Sequence, residues 1–221
     1  MKYRIITCCK NKFENTPLQL SLAKLKINPI HITPFENNNE GLSYCYNLTL
    51  ETWKKVNYDC LIFIHEDVEI IQSNFIEEIQ EAFNQFDIVG LAGGLEPEIK
   101  VPSLWHRMCK RQNWRGRVGH FDEKGNKFIT DFGETPSRVC VLDGLFLAVN
   151  LKKIKKTNWK FNETDCGKFH HYDIASSLDA NTAGLKLGVW PILVYHHSPG
   201  LRDINDPTFQ ESQRKFLAKY S

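Results

Sequence analysis

The stretch CLIFIHEDVEI, residues 60–70, sets five apolar residues against a histidine and three acids. Cys60–Ile64 reads as a buried strand, because a strand covered on both faces is a near-continuous apolar run. His65, Glu66, Asp67 and Glu69 then crowd together. Like charges that close repel, and they lose solvation if buried. The cluster therefore occupies a solvated turn or surrounds a positive charge. Residues two apart on an extended chain point the same way, which would put His65, Asp67 and Glu69 on one face. Carboxylate oxygens at a strand end suit a hard divalent cation such as Mg²⁺ or Mn²⁺, and imidazole is acceptable to Mn²⁺. The plain alternative is an acidic turn that caps the next helix.

Upstream, Tyr3–Cys8 reads as a first strand. Leu18, Leu22 and Leu25 then recur at helical spacing, and Ile30–Pro34 is a short second strand. A helix runs from Gly41 to about Val56, with Leu42, Tyr46, Leu50 and Trp53 along one side. Downstream, Ser73 stands as N-cap to a helix carrying Phe75, Ile76, Ile79, Phe83 and Phe86, and Asp87–Leu91 is a fourth strand. Strands alternating with helices predict βαβ units and a parallel sheet over residues 1–95.

Between 96 and 136 the periodicity fades into a stretch rich in Trp, Arg, Gly and Lys, read as a flexible insertion or flap. Order returns in RVCVLDGLFLAV (138–149), a strand interrupted by Asp143-Gly144. A helix covers Tyr172–Ala183, GVWPILVY (188–195) is a late strand, and the tail from Pro207 is helical. The whole, 1–221, reads as a single α/β domain.

Composition narrows the classes. Lys and Arg number 28 against 26 Asp and Glu, so bulk charge does not point to nucleic acid or a membrane surface. No apolar run approaches the roughly 20 residues of a transmembrane segment, and the apolar run at the N-terminus is too short for a secretory signal. The seven cysteines are odd in number and scattered, which suits reduced thiols in a cytoplasmic protein better than a disulfide framework. Asn47-Leu-Thr and Asn162-Glu-Thr match glycosylation acceptors, a reading that lapses if the chain is never secreted.

Ligands of open α/β sheets bind beyond the carboxyl ends of the strands. HEDVE follows one such end, Asp143-Gly144 interrupts a later strand, and His196-His197-Ser198 follows the last. Asp143-Gly144 fits either a bulge that admits a ligand or a turn. Asp173, in HHYDI, fits a general base or a helix N-cap. The basic stretch HRMCKRQNWRGR (106–117) could close over a diphosphate, bind an anionic acceptor, or be a solvated loop. Gly93-Gly94 lacks the GxGxxG context, and no GxxxxGK[ST] occurs, which argues against nicotinamide and P-loop enzymes.

Taken in order, IFIHEDVEI, VLDGLFLAV, FNE and FHHYDIASSLDANTAGLKLGVWPILVYHHSPG resemble the small bacterial GT-A glycosyltransferases related to family 2, over roughly residues 1–200. The resemblance implies a GT-A-like three-layer sandwich, with a mostly parallel Rossmann-like central sheet and helices on both faces. It also implies a nucleotide-binding half (1–95), a flap (96–136) and an acceptor/catalytic half (137–221). The implied activity is inverting, metal-dependent transfer of a sugar from a nucleotide-sugar donor, a UDP-sugar by preference, to a hydroxyl of a glycan or lipid-linked acceptor, in glycan or cell-surface polysaccharide synthesis.

The roles carried over are Asp173 as catalytic base and His65, Asp67, Glu69 and His197 around Mn²⁺ or Mg²⁺, with His196 as the other choice for the last ligand. Thr7, Cys8, Glu36, Asn38, Glu66 and Asp67 fall to the donor nucleotide, and Asp143, Gly144 and His171 to the acceptor or sugar. Two positions depart from the family pattern. His65 stands where the first acid of the DxD motif is expected, and Asn162 where a Phe-Asp-Glu turn has its Asp. Each predicts weaker metal binding or a changed substrate. A metal-dependent phosphotransferase or nuclease, and a non-catalytic sugar-nucleotide-binding module, are the other readings the residues permit.

Overall fold

The computed structural model describes residues 1–198 and 203–221. Its elements in chain order are β1 (Tyr3–Cys8), α1 (Pro17–Lys24), β2 (Ile32–Phe35), α2 (Leu42–Lys54), β3 (Cys60–Ile64), β4 (Val68–Ile70), α3 (Phe75–Ala82), β5 (Ile88–Gly90) and β6 (Ala92–Gly94). Next come α4 (Trp105–Met108), β7 (Trp114–Phe121), β8 (Lys127–Gly133), β9 (Ser137–Val139), β10 (Val141–Leu142), β11 (Phe146–Asn150) and α5 (Leu151–Ile154). The chain ends with α6 (Tyr172–Thr182), β12 (Leu187–Val189), β13 (Val194–His196) and α7 (Pro207–Tyr220).

Two sheets share one hydrophobic core. The larger has the order β2-β1-β3-β11-β5-β12-β9. Strands β2, β1, β3, β5 and β12 run one way, and β11 and β9 run against them. All five residues of β3 are buried, as a strand between β1 and β11 with both faces covered requires. The smaller sheet runs β10-β6-β7-β13-β4, with β8 paired on β7.

Register then builds the site. On β11, Phe146 lies opposite Ile64, and the His65 amide continues the ladder by donating to the Leu145 carbonyl at 3.0 Å. The preceding Asp143-Gly144 is thereby delivered beside His65. On β13, His196 lies opposite Val68, and the His197 amide donates to the Asp67 carbonyl at 2.9 Å. Gly144 permits a close approach. A Cβ there would lie 2.1 Å from the Tyr172 hydroxyl oxygen, so a side chain would displace Tyr172.

Several local expectations need correction. Residues 29–31 form a 3₁₀ turn, with Asn28 Oδ1 accepting from the Ile30 amide at 3.0 Å, so the second strand starts at Ile32. The N-cap of α3 is Asn74 rather than Ser73, because the helix begins one residue later. GVWPILVY is two strands: the chain leaves the large sheet after Val189 and enters the small one at Val194, around Pro191. Likewise 138–149 visits the large sheet, the small and the large again, breaking at Cys140 and at Asp143–Leu145. The 96–136 segment holds α4 and the β7–β8 hairpin. No helix among the described residues is long and apolar enough to cross a membrane.

Candidate active site

The carboxyl end of β3 opens into a cavity of about 780 Å³. His65, Asp67 and His196 bring one ligand atom each to within 4.8 Å of one another on its wall. The chain between β3 and β4 turns rather than extends, with the Val68 amide donating to the His65 carbonyl at 3.2 Å. Glu69 therefore does not join His65 and Asp67. It lies on β4, 3.2 Å from His197 Nε2 and 3.3 Å from Lys127 Nζ. Pro199 and Gly200, the end of the HHSPG match, lie outside the described residues.

The electrostatics of the cluster are mutual. Burial favours the neutral form of Asp67, but His196 and His65 outweigh it and hold the carboxylate low. Burial also opposes charge on His196, but Asp67 and Asp143 raise it above the ordinary imidazole value. His65 is lowered, burial dominating over the pull of Asp67. Asp67 Oδ1 and His196 Nε2 are 3.2 Å apart without hydrogen-bond alignment, and both atoms are buried and otherwise unpartnered. Buried polar atoms are seldom left so. A cation between them would satisfy both, so the residues fit a divalent metal.

Tyr172 orients His65. Its hydroxyl donates to the Gly144 carbonyl at 3.1 Å and sits 2.7 Å from His65 Nε2. With the hydroxyl proton so placed, Nε2 is the donor and Nδ1 carries the lone pair a metal needs.

Asp173 opens α6 and lines the same cavity. Its Oδ2 accepts from the Gly144 amide at 3.0 Å and its Oδ1 from the Ile174 amide at 2.9 Å. Burial, and then the charge of Asp143, raise its pKa to about 7. Asp143 Oδ2 accepts from Trp105 Nε1 at 2.8 Å and Oδ1 from the Leu145 amide at 3.0 Å. His171 is buried at the start of α6 with φ +63°, its Nδ1 2.8 Å from Ser212 Oγ on α7, and burial pushes its pKa down to about 4.

A second cavity of about 360 Å³ lies on the other side of the β3–β4 turn, lined by Cys8, Asn38 and Glu66 among others. Glu66 Oε1 accepts from the Lys10 amide at 2.9 Å, tying the turn to the end of β1. Thr7 is fully buried and Glu36 pairs with Lys12 at 2.8 Å; neither lines either of these two cavities.

Asn162 stands apart from both cavities. Its Nδ2 contacts Asp165 at 3.0 Å, Asp179 at 2.9 Å and the Tyr220 hydroxyl at 2.9 Å. Asn47 is equally engaged, its amide exchanging hydrogen bonds of 2.8 Å with the backbone of Phe161. Both side-chain amides that match glycosylation acceptors are thus buried and bonded.

Sequence reasoning did not single out Tyr172, Trp105, His106 or His120 as site residues. Six of the eight histidines line the larger cavity. Within the non-periodic segment 96–136, His106 and His120 were the available signal.

A mixed sheet with an acid–histidine cluster at the carboxyl end of β3, and a second acid lining the same cavity, is the arrangement expected of a GT-A-like glycosyltransferase. The chain belongs to the glycosyltransferase like family, whose sequence profile matches residues 5–220. It is similar in fold to A197 from STIV, at 16% identity and TM-score 0.57, over 90% of this chain and 86% of that one. It is also similar to residues 1–349 of TarS from S. aureus, solved with UDP-GlcNAc, at 12% identity and TM-score 0.50. That match covers 93% of this chain but only 61% of the TarS chain. A comparison with curated protein sequences gives no match.

Proposed function

We propose that this glycosyltransferase moves a sugar from a nucleotide-sugar donor, a UDP-sugar by preference, to a hydroxyl of a glycan or lipid-linked acceptor, with inversion and with Mn²⁺ or Mg²⁺ bound. One observation carries the reading: a single cavity holds both a His–Asp–His cluster, with Asp67 Oδ1 and His196 Nε2 lacking hydrogen bonds, and an acid whose pKa is raised to about 7. UDP-GlcNAc bound to the similarly folded TarS supports the donor class.

His65, Asp67 and His196 would hold the ion, and two imidazoles with one carboxylate suit Mn²⁺ better than Mg²⁺. The bound ion supplies neutralisation of the charge that develops on the leaving nucleoside diphosphate. Glu69 and His197, paired beside it, buttress the β4–β13 end of the site. Asp173 takes the proton of the acceptor hydroxyl; a carboxyl with pKa near 7 is matched to that transfer. The Gly144 and Ile174 amides hold it in place. Asp143, fixed by Trp105 and the Leu145 amide, orients a sugar, with His171 lining the same wall. The nucleoside lies in the smaller cavity against Cys8, Asn38 and Glu66.

On this reading residues 1–95 bind nucleotide, 96–136 act as the flap and 137–221 bind acceptor, within one cytoplasmic domain serving glycan or cell-surface polysaccharide synthesis. The test is nucleoside diphosphate release from a nucleotide-sugar panel with Mn²⁺. Release that chelation abolishes supports the reading, and absence of binding by any sugar nucleotide at millimolar concentration refutes it.

A further inference from the structure

The basic stretch 106–117 offered a cationic lid for an anionic acceptor, but the structure directs four of its five cations elsewhere. Arg111 donates to the carbonyls of Phe132 at 3.0 Å and Asp131 at 3.1 Å, and its guanidinium lies 4.6 Å from the Trp114 ring centre. Arg115 donates to the carbonyls of Gln112 at 2.8 Å and Trp114 at 2.7 Å. Arg117 pairs with Asp131 at 3.0 Å and Lys110 lies 3.6 Å from Glu98. Among the described residues, no Lys or Arg lines the larger cavity.

The same segment turns aromatic rings to the cavity. Trp105, Trp114 and Phe132 pack edge to face, with ring centres 5.7, 5.2 and 6.1 Å apart. The indole N–H groups are already bonded, Trp105 to Asp143 and Trp114 to the Cys109 carbonyl at 2.9 Å, so the rings are fixed in orientation. Phe128 stands at the rim, 46% exposed. The polar groups between the rings and the acids are imidazoles. His106 and His120 are held below the ordinary histidine value, chiefly by burial.

We infer that this aromatic wall, built by α4 and the β7–β8 hairpin, extends the acceptor site of residues 137–221 as a subsite on the flap, and that the acceptor is an uncharged carbohydrate. The inference rests on the glycosyltransferase reading above. A sugar ring has an apolar C–H face, which fits a fixed aromatic surface, and an edge of hydroxyls, which fits imidazoles and carboxylates. A phosphate- or carboxylate-bearing acceptor would instead meet Asp143 and Asp173 with no lysine or arginine among the described lining residues to balance it.

The experiment uses the full chain with Mn²⁺ and a donor identified by diphosphate release. Neutral oligosaccharides and glycosides are compared with polyol phosphates and uronic-acid glycosides, by product formation and by quenching of tryptophan fluorescence. Neutral acceptors are expected to bind and react. Phe128→Ala, at an exposed position, is expected to raise the acceptor KM about tenfold while the donor KM moves less than twofold. An anionic acceptor that outperforms the neutral ones overturns the inference, as does a Phe128→Ala effect confined to the donor KM. Donor hydrolysis with no neutral carbohydrate either bound or glycosylated also overturns it. Failure of every sugar nucleotide to bind strikes the parent reading instead.

Discussion

The turn at His65 and the turn at Asn162 both carry an uncharged side chain where the resembled enzymes carry an acid, yet their surroundings are opposite. His65 faces a cavity beside Asp67 and His196, whose nearest polar atoms lack partners. Asn162 faces Asp165, Asp179 and Tyr220, and its amide is fully engaged. An acid at Asn162 would set a third carboxylate against two others. An acid at His65 would alter the ligand set of a cation site. The same kind of departure from a family pattern is therefore structural in one place and chemical in the other.

The largest effect should come from the acid that shares His65's cavity. Asp173→Asn keeps the side-chain size, so kcat should fall about a thousandfold while donor affinity, read by calorimetry, stays within a few-fold. Unchanged kcat would remove Asp173 from the reaction. The pH profile follows from the same residue. A base must be ionised, and Asp173 is protonated below its pKa of about 7, so kcat/KM should fall about tenfold per pH unit below that point. An acid limb near pH 4 instead would contradict the assignment.

The comparison of the two turns sharpens with matched substitutions. Asn162→Asp should cost about 2–3 kcal/mol of stability at pH 7, seen in urea unfolding, because two half-buried acids lose a donor and gain a like charge. Its Mn²⁺ affinity should stay within twofold. His65→Asp should lower the ratio of Mn²⁺- to Mg²⁺-supported turnover about tenfold, since a carboxylate replaces an imidazole. Reversal of these two phenotypes would break the comparison. The smallest effect is expected from Tyr172→Phe, which frees the His65 ring; Mn²⁺ affinity should drop about tenfold.

Much of the first half was legible because its chemistry is local. Leu18 and Leu22 repeat at helical spacing, and Cys60–Ile64 shows the unbroken apolar run of a doubly covered strand. The placement of HEDVE at a strand end followed from those elements. The second half obeys longer-range rules. Pro191 lets an apolar run divide between two sheets, and nothing within 188–195 states that. His196 reaches Asp67 only through the pairing of β13 with β4. Whether His196 or His197 faced the cluster depended on that register, which shifts faces with every residue. The aromatic wall escaped notice because Trp114 and Phe132 lie 18 positions apart and meet only when β7 and β8 pair, with Trp105 brought to them from α4.

The central claim is that Asp67, His65 and His196 together make nucleotide-sugar binding depend on a divalent ion. Calorimetric titration of the nucleotide sugar into wild-type protein and Asp67→Asn, each with Mn²⁺ and with chelator, tests it most directly. The account predicts binding by the wild type with Mn²⁺, at least about a hundredfold weaker binding with chelator, and an equal loss in Asp67→Asn. Equal affinity in all four titrations, or none at millimolar ligand, would contradict it.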